Sequence, residues 1–182
     1  MNKYLCIALI FIAAFLFAGD RSEIKDEISY FEMLSVRQKV LDFARKHWAE
    51  DSIIVTKKTH LLYYCRYGAI VKNDFWNGRF YSFPVKVSLA SRYYRTPEGE
   101  FEIETKNNQS QYIKFLGFKG LYGIHSGATR LASYLDNMEA RDPQFTFVTK
   151  KDDTRGCVAV ENRVIKYLFA RVDEKTPVLI MP

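Results

Sequence analysis

Histidine and cysteine are scarce, with three of each in 182 residues: His47, His60 and His125, and Cys6, Cys65 and Cys157. No His-Glu-x-x-His run and no Cys-x-x-Cys pair occurs, so the usual zinc-hydrolase ligand sets are missing and neither a metal nor another cofactor is expected. A phosphate-cradling Gly-rich loop is absent, as is a Gly-x-Ser-x-Gly elbow, which removes nucleotide-driven chemistry and the serine-hydrolase route. The 27 basic side chains exceed the 21 acidic ones, giving a formal charge of +6 that favours an anionic polymer. No nucleic-acid-binding motif accompanies that charge, so nucleic acid is not expected as the partner.

Long apolar runs are lacking except at the start, where residues 7–19 follow Lys3. That run is short for a membrane span, which needs about 20 residues, but it suits a secretory signal with cleavage near Ala18 or Gly19. An uncleaved anchor is the alternative, and the only way a membrane enters the reading. Cys6 precedes the run and does not mark a lipidation site. The expected organisation is a signal peptide over 1–19, a helical segment over 20–50 and one domain over 51–182, exported to the periplasm or cell envelope. Roughly 160 residues then remain, enough for one core and too few for two. Cys65 and Cys157 would face an oxidising compartment, where a disulfide between them would silence either thiol.

Within 22–49, Ile24, Ile28, Phe31, Leu34, Leu41, Ala44 and Trp48 fall near one helical face, and Met33, Val36, Val40 and Phe43 form a second stripe. The spacing predicts a docking helix packed on two sides. From Ser52 onward β-branched and aromatic runs over 53–55, 61–67, 69–71 and 80–89 read as strands, and Asn77-Gly78 reads as a hairpin turn. Tyr63, Tyr64, Tyr67 and Tyr81 are expected to pack on sheet faces, and His60 to lie in a surface turn. Further strands are expected at 101–103 and 176–181, a polar loop at 107–110, and a helix over 161–170. Between Gly127 and Asp153 the pattern gives a short helix over 129–135 and a long charged loop containing a strand at 145–148, suited to act as a lid. The fold class is α+β, mostly β with flanking helices.

Chemistry concentrates at Thr154, Arg155, Gly156 and Cys157, a tight turn running into Val158, Ala159 and Val160. An adjacent arginine favours a thiolate, and a preceding glycine lets backbone N–H groups approach a reacting carbonyl. Taken alone the stretch fits a buried structural thiol better, since free cysteine is among the most buried residue types. A nucleophile needs a base, and Tyr122-Gly123-Ile124-His125-Ser126-Gly127 offers an imidazole among small residues.

These two stretches, with Arg95-Thr96-Pro97-Glu98-Gly99-Glu100-Phe101-Glu102-Ile103 upstream and Thr176-Pro177-Val178-Leu179-Ile180 at the end, resemble the L,D-transpeptidase catalytic domain of bacterial cell-wall enzymes, the YkuD family. The resemblance spans roughly 52–181 and implies a β-sandwich preceded by the N-terminal helix. It implies a thioester acyl-enzyme on Cys157, with His125 as base, the Ser126 carbonyl orienting the imidazole, and the N–H groups of Gly156 and Cys157 as oxyanion donors. Arg155, Tyr122 and Thr154 are the implied substrate-binding residues, and peptidoglycan stem peptides the implied partner. Arg155 stands where the family usually has a second histidine, Ala159 where an arginine often follows, and the interval from His125 to Cys157 is about twice the usual one. The implied activity is L,D-transpeptidation, with L,D-carboxypeptidase trimming or a non-catalytic peptidoglycan-binding domain as the alternatives.

Overall fold

A computed structural model describes residues 21–108, 111–127, 131–142 and 152–182. Residues Val40–Pro182 form one compact unit, and the described residues before Val40 fall in another. Helix α1 (Arg21–Lys46) runs across that division. The expected signal segment lies outside the described residues. Among the described residues no helix is long and apolar enough to cross a membrane.

The larger sheet is built around β1 (Ser52–Thr56), whose Ser-Ile-Ile-Val-Thr sequence is buried at all five positions. Burial of both faces is what a continuous β-branched run predicts for a central strand. It pairs antiparallel with β2 (Leu61–Arg66) and parallel with β12 (Pro177–Met181), so the last strand of the chain lies beside the first. β3 (Ala69–Ile70) and β6 (Val85–Lys86) extend the sheet from β2, and β7 (Gly99–Glu102) from β12. The second sheet has the order β11 (Val158–Ala159), β10 (Tyr122–His125), β9 (Phe115–Lys119), β8 (Thr105–Asn107). A separate hairpin pairs β4 (Asp74–Trp76) with β5 (Arg79–Tyr81).

One core joins both sheets to α3 (Asn162–Phe169): Ile53, Val55, Leu62, Leu116, Ile124, Val158, Ile165 and Leu168 all belong to it. Val164, Ile165, Tyr167 and Leu168 bury one stripe of α3, the helical spacing that its sequence shows. Each such aliphatic contributes about 1.5–3 kcal/mol relative to exposure, as an upper estimate. Tyr64 and Tyr81 pack on Tyr167, with ring centroids 5.7 and 4.3 Å apart. The helix start is capped from a distance. Glu139 of α2 (Ala132–Arg141) accepts the N–H groups of Asn162 at 3.0 Å and Arg163 at 3.2 Å, satisfying donors that a helix cannot satisfy itself. Asp136, one turn earlier on α2, pairs with Lys166 at 2.8 Å. Helix α2 is thereby fixed to the helix that follows the cysteine.

Several expectations need correction. α1 stops at Lys46, short of the expected end; within the larger unit Val40, Phe43 and Ala44 are buried and Trp48, beyond the helix, is exposed. Periodicity marks a face and does not by itself supply a partner for it. The run over 80–89 is two strands, because Pro84 has no N–H to give a ladder: β5 pairs with β4 and β6 with β2. Asn77 and Gly78 take φ of 47° and 75°, the conformation of a tight hairpin turn, and reveal β4, which the sequence pattern did not separate. The helix expected over 129–135 is longer and later, Ala132–Arg141. Part of the expected loop at 107–110 is strand, since β8 includes Asn107. The strand expected at 145–148 lies outside the described residues. Tyr67 is exposed at a positive-φ turn instead of packing like Tyr63, Tyr64 and Tyr81.

Candidate active site

Strand β10 ends at His125 and runs parallel to β11, with Ile124 opposite Val158 and His125 opposite Ala159. Side chains alternate along a strand, and residues paired in register share a face. Extending β11 back by one residue puts Cys157 on the same face as Ala159, hence on the face of His125, about 7 Å along the strand direction. Val160 N–H donates to His125 O at 2.8 Å and closes the pairing beyond β11. The two residues singled out from the sequence are therefore delivered to one sheet edge by hydrogen-bond register.

The imidazole is buried at 5% exposure. Its Nδ1 lies 2.7 Å from the carbonyl oxygen of Ser126. A carbonyl only accepts, so Nδ1 carries the proton and Nε2 is left with a lone pair. Ser126 also holds the opposite wall: its Oγ accepts Ile113 N–H at 3.0 Å and donates to Gly127 O at 2.9 Å. That places Tyr112 flat against the imidazole, ring centroids 3.7 Å apart and planes 16° apart. Burial lowers the pKa of His125 below the usual imidazole value, against the Ser126 hydrogen bond and the charge of Asp153, which act the other way.

Cys157 is half-buried, and its thiol lies 3.8 Å from the Leu121 carbonyl oxygen. Burial raises its pKa, and a hydrogen bond from the Gly123 backbone opposes that rise. Thiol and imidazole therefore rest as a neutral pair near pH 7. Cys65 and Cys157 are both free.

The turn before the thiol is built on glycine. Gly156 has φ of 118°, and a Cβ there would lie 2.3 Å from the Tyr122 ring and 3.1 Å from the Arg95 carbonyl oxygen. Tyr122 thus packs beneath Gly156, next to a β-bulge at Tyr122/Gly123, a device common beside active sites. Thr154 is buried and its hydroxyl serves the turn, donating to Cys157 O at 2.7 Å and accepting Gly156 N–H at a long 3.4 Å. Arg155 is exposed, 6.0 Å from the Tyr94 ring.

Gly123 and Tyr112 escaped the sequence reading. For Gly123 a signal existed, because a glycine inside a strand marks close approach; a Cβ there would meet the Phe115 ring at 2.4 Å. Tyr112 gave none, since its place depends on the Ser126 contact. His60 pairs with Asp152 at 2.7 Å, and Asp152 also accepts Leu89 N–H at 2.9 Å, which anchors the approach to Thr154. Cavities of about 580 and 550 Å³ lie against Phe43, His47 and Glu174, and against Arg79, Glu139 and Arg163. Neither includes Cys157 or His125. Among the described residues no three His, Cys, Asp or Glu side chains converge as a metal site.

The sequence matches the family described as YkuD, L,D-transpeptidase catalytic domain, over residues 50–180. No curated protein sequence matches. Among solved structures, the chain is similar to an L,D-transpeptidase from Stackebrandtia nassauensis, at 15% identity and a TM-score of 0.51 over 73% of this chain and 56% of that one. An L,D-transpeptidase from Mycobacterium tuberculosis H37Rv gives 12% and 0.53 over 73% and 58%. L,D-transpeptidase 3 from Mycobacterium tuberculosis, in complex with a faropenem-derived adduct, gives 12% and 0.55 over 73% and 60%. Identities this low speak for the fold. The chain spans less than two thirds of the length of each of these three proteins.

Proposed function

Because the chain belongs to the YkuD family of L,D-transpeptidase catalytic domains, we propose that it is an exported cysteine acyltransferase that cross-links peptidoglycan stem peptides through a Cys157 thioester. The observation that carries this reading is the placement of His125 on the face of Cys157 with its Nδ1 proton held by the Ser126 carbonyl. That contact fixes the tautomer and leaves the Nε2 lone pair free to accept a proton, the role an aspartate fills in other triads.

In the first half-reaction Nε2 takes the Cys157 proton as sulfur attacks the carbonyl carbon after the third stem residue. The Cys157 N–H meets the developing oxyanion, joined by Gly156 N–H, whose bond to Thr154 is long enough to yield. Such a donor is typically worth about 3 kcal/mol. The imidazolium then protonates the departing amine of the fourth residue, leaving a thioester. In the second half-reaction an acceptor amine loses its proton to His125 and attacks the thioester, and the imidazolium returns that proton to the sulfur as it leaves. Until substrate arrives the pair stays neutral, and the Gly123 N–H eases the charge onto sulfur as attack begins.

Tetrapeptide muropeptides incubated with the enzyme test this. Tripeptide-linked dimers that disappear in Cys157→Ala are expected. Tripeptide monomer alone, at every substrate concentration, would make the protein an L,D-carboxypeptidase, and an unchanged muropeptide profile would make it a binding domain.

A further inference from the structure

Just before Thr96-Pro97 the chain exposes four consecutive residues, Arg92, Tyr93, Tyr94 and Arg95. Tyr93 is 76% exposed and Tyr94 47%. Neighbouring exposed aromatic rings mark a contact surface more often than solitary ones. Each ring here has a guanidinium: Arg92 lies 4.7 Å above Tyr93 and bonds its hydroxyl, and Arg155 lies 6.0 Å from Tyr94. A guanidinium resting on a ring has lost much of its freedom and keeps its N–H fork for an incoming group.

The turn is fixed to the segment that carries the thiol. Ser91 N–H donates to Thr154 O at 3.0 Å, Thr154 N–H to Leu89 O at 3.1 Å, and Tyr94 N–H closes the turn on Ser91 O at 2.9 Å. Nearby acids are engaged elsewhere: Glu98 with Lys57, Glu100 with Lys46, and Asp152 with His60. Asp153 remains as the acidic neighbour, its charge reaching His125 and Tyr112. Among the described residues Arg92, Arg95 and Arg155 form no ion pair. Two ring–guanidinium pairs thus sit on a turn hydrogen-bonded to Thr154, three residues before Cys157.

We infer that Arg92, Tyr93, Tyr94 and Arg155 form a subsite for the free C-terminal carboxylate of the donor stem peptide, the group carried by the residue that leaves. A planar guanidinium fork matches a carboxylate, and the tyrosine faces suit the small alkyl side chain beside it. That carboxylate is the negative charge nearest the scissile carbonyl, and Arg155 is two residues from the attacking sulfur. The assignment of this ligand rests on the acyl-transfer reading above, whereas an anion subsite beside Cys157 does not.

Two small electrophiles separate these layers. In wild type, Cys157 reacts with iodoacetate faster relative to iodoacetamide than a free thiol does. In Arg92→Gln/Arg155→Gln the iodoacetate rate falls about fivefold with the iodoacetamide rate unchanged, and high salt mimics the variant. An unchanged rate ratio overturns the subsite. With tetrapeptide substrate, the same variant raises KM about tenfold in preference to lowering kcat, and wild type given the C-terminal amide of that substrate shows the same rise. A loss in kcat alone, or an amide bound as well as the acid, overturns the carboxylate assignment. If wild type turns over no muropeptide yet the iodoacetate effect holds, the acyl-transfer reading falls and the anion subsite stands.

Discussion

The chain holds two free cysteines in opposite circumstances. Cys65 is the penultimate residue of β2, paired on both sides, opposite Ser52 and Ile70, at 1% exposure. Burial alone pushes its thiol up to about 12. Cys157 sits just before a two-residue strand, half-buried, with a backbone hydrogen bond from Gly123 working against burial and an imidazole on its own sheet face. Sulfur is the same in both. A thiol enclosed by apolar neighbours with no donor stays protonated and behaves as a small core residue, whereas one at a strand end, with a donor and a base supplied by the next strand, can be ionised on demand.

The largest effects break the comparison from the Cys157 side. Cys157→Ala removes the proposed nucleophile, and muropeptide turnover is expected to fall at least a thousandfold with the melting temperature hardly changed; product chromatography and calorimetry check it. His125→Gln keeps hydrogen bonding and loses the base, costing about a hundredfold or more in kcat. Next comes Gly156→Ala. A Cβ at 2.3 Å from the Tyr122 ring, on a backbone at φ of 118°, displaces the turn, so a loss of about 2–4 kcal/mol in stability is expected by denaturant unfolding, together with lost activity. From the other side, Cys65→Ala leaves turnover intact and costs about 1 kcal/mol as a small core cavity. A mutant that kept its stability but lost activity would make Cys65 part of the chemistry.

The pH dependence sharpens the same contrast. Burial moves the Cys157 thiol up and the His125 imidazole down, so both are neutral near pH 7 and the thiolate accumulates only as pH rises. Alkylation of Cys157 by iodoacetamide is therefore expected to climb through the alkaline range. A plateau already reached below pH 7 would mean a resting thiolate–imidazolium pair instead. The smallest effect is Glu139→Gln, which keeps the shape of the cap on α3 and removes its charge at the helix N-terminus. A loss of about 0.5–1 kcal/mol is expected by thermal unfolding.

Much of the candidate site was legible because the residues proposed for it stand in short contiguous runs. Gly156 next to Cys157, and His125 next to Ser126, are local requirements of a strained turn and a tautomer-fixing carbonyl, and a linear reading finds local requirements. Gly123 and Tyr112 were not legible in the same way: one acts through the β9–β10 bulge and the other through a contact made by Ser126. The strands β1, β2 and β12 showed in their composition, since central strands buried on both faces must be β-branched and apolar. Their adjacency did not, because nothing within 177–181 states that its partner lies more than a hundred residues earlier.

The central claim is that acyl transfer passes through the sulfur of Cys157 and no other group. The most direct measurement is mass spectrometry of the protein quenched in acid during turnover of a tetrapeptide muropeptide, followed by peptide mapping. The account predicts a tripeptide acyl group, labile to hydroxylamine, on the peptide containing Cys157 and none on that containing Cys65. Products forming with no adduct on Cys157, or an acyl group residing on another residue, would contradict it.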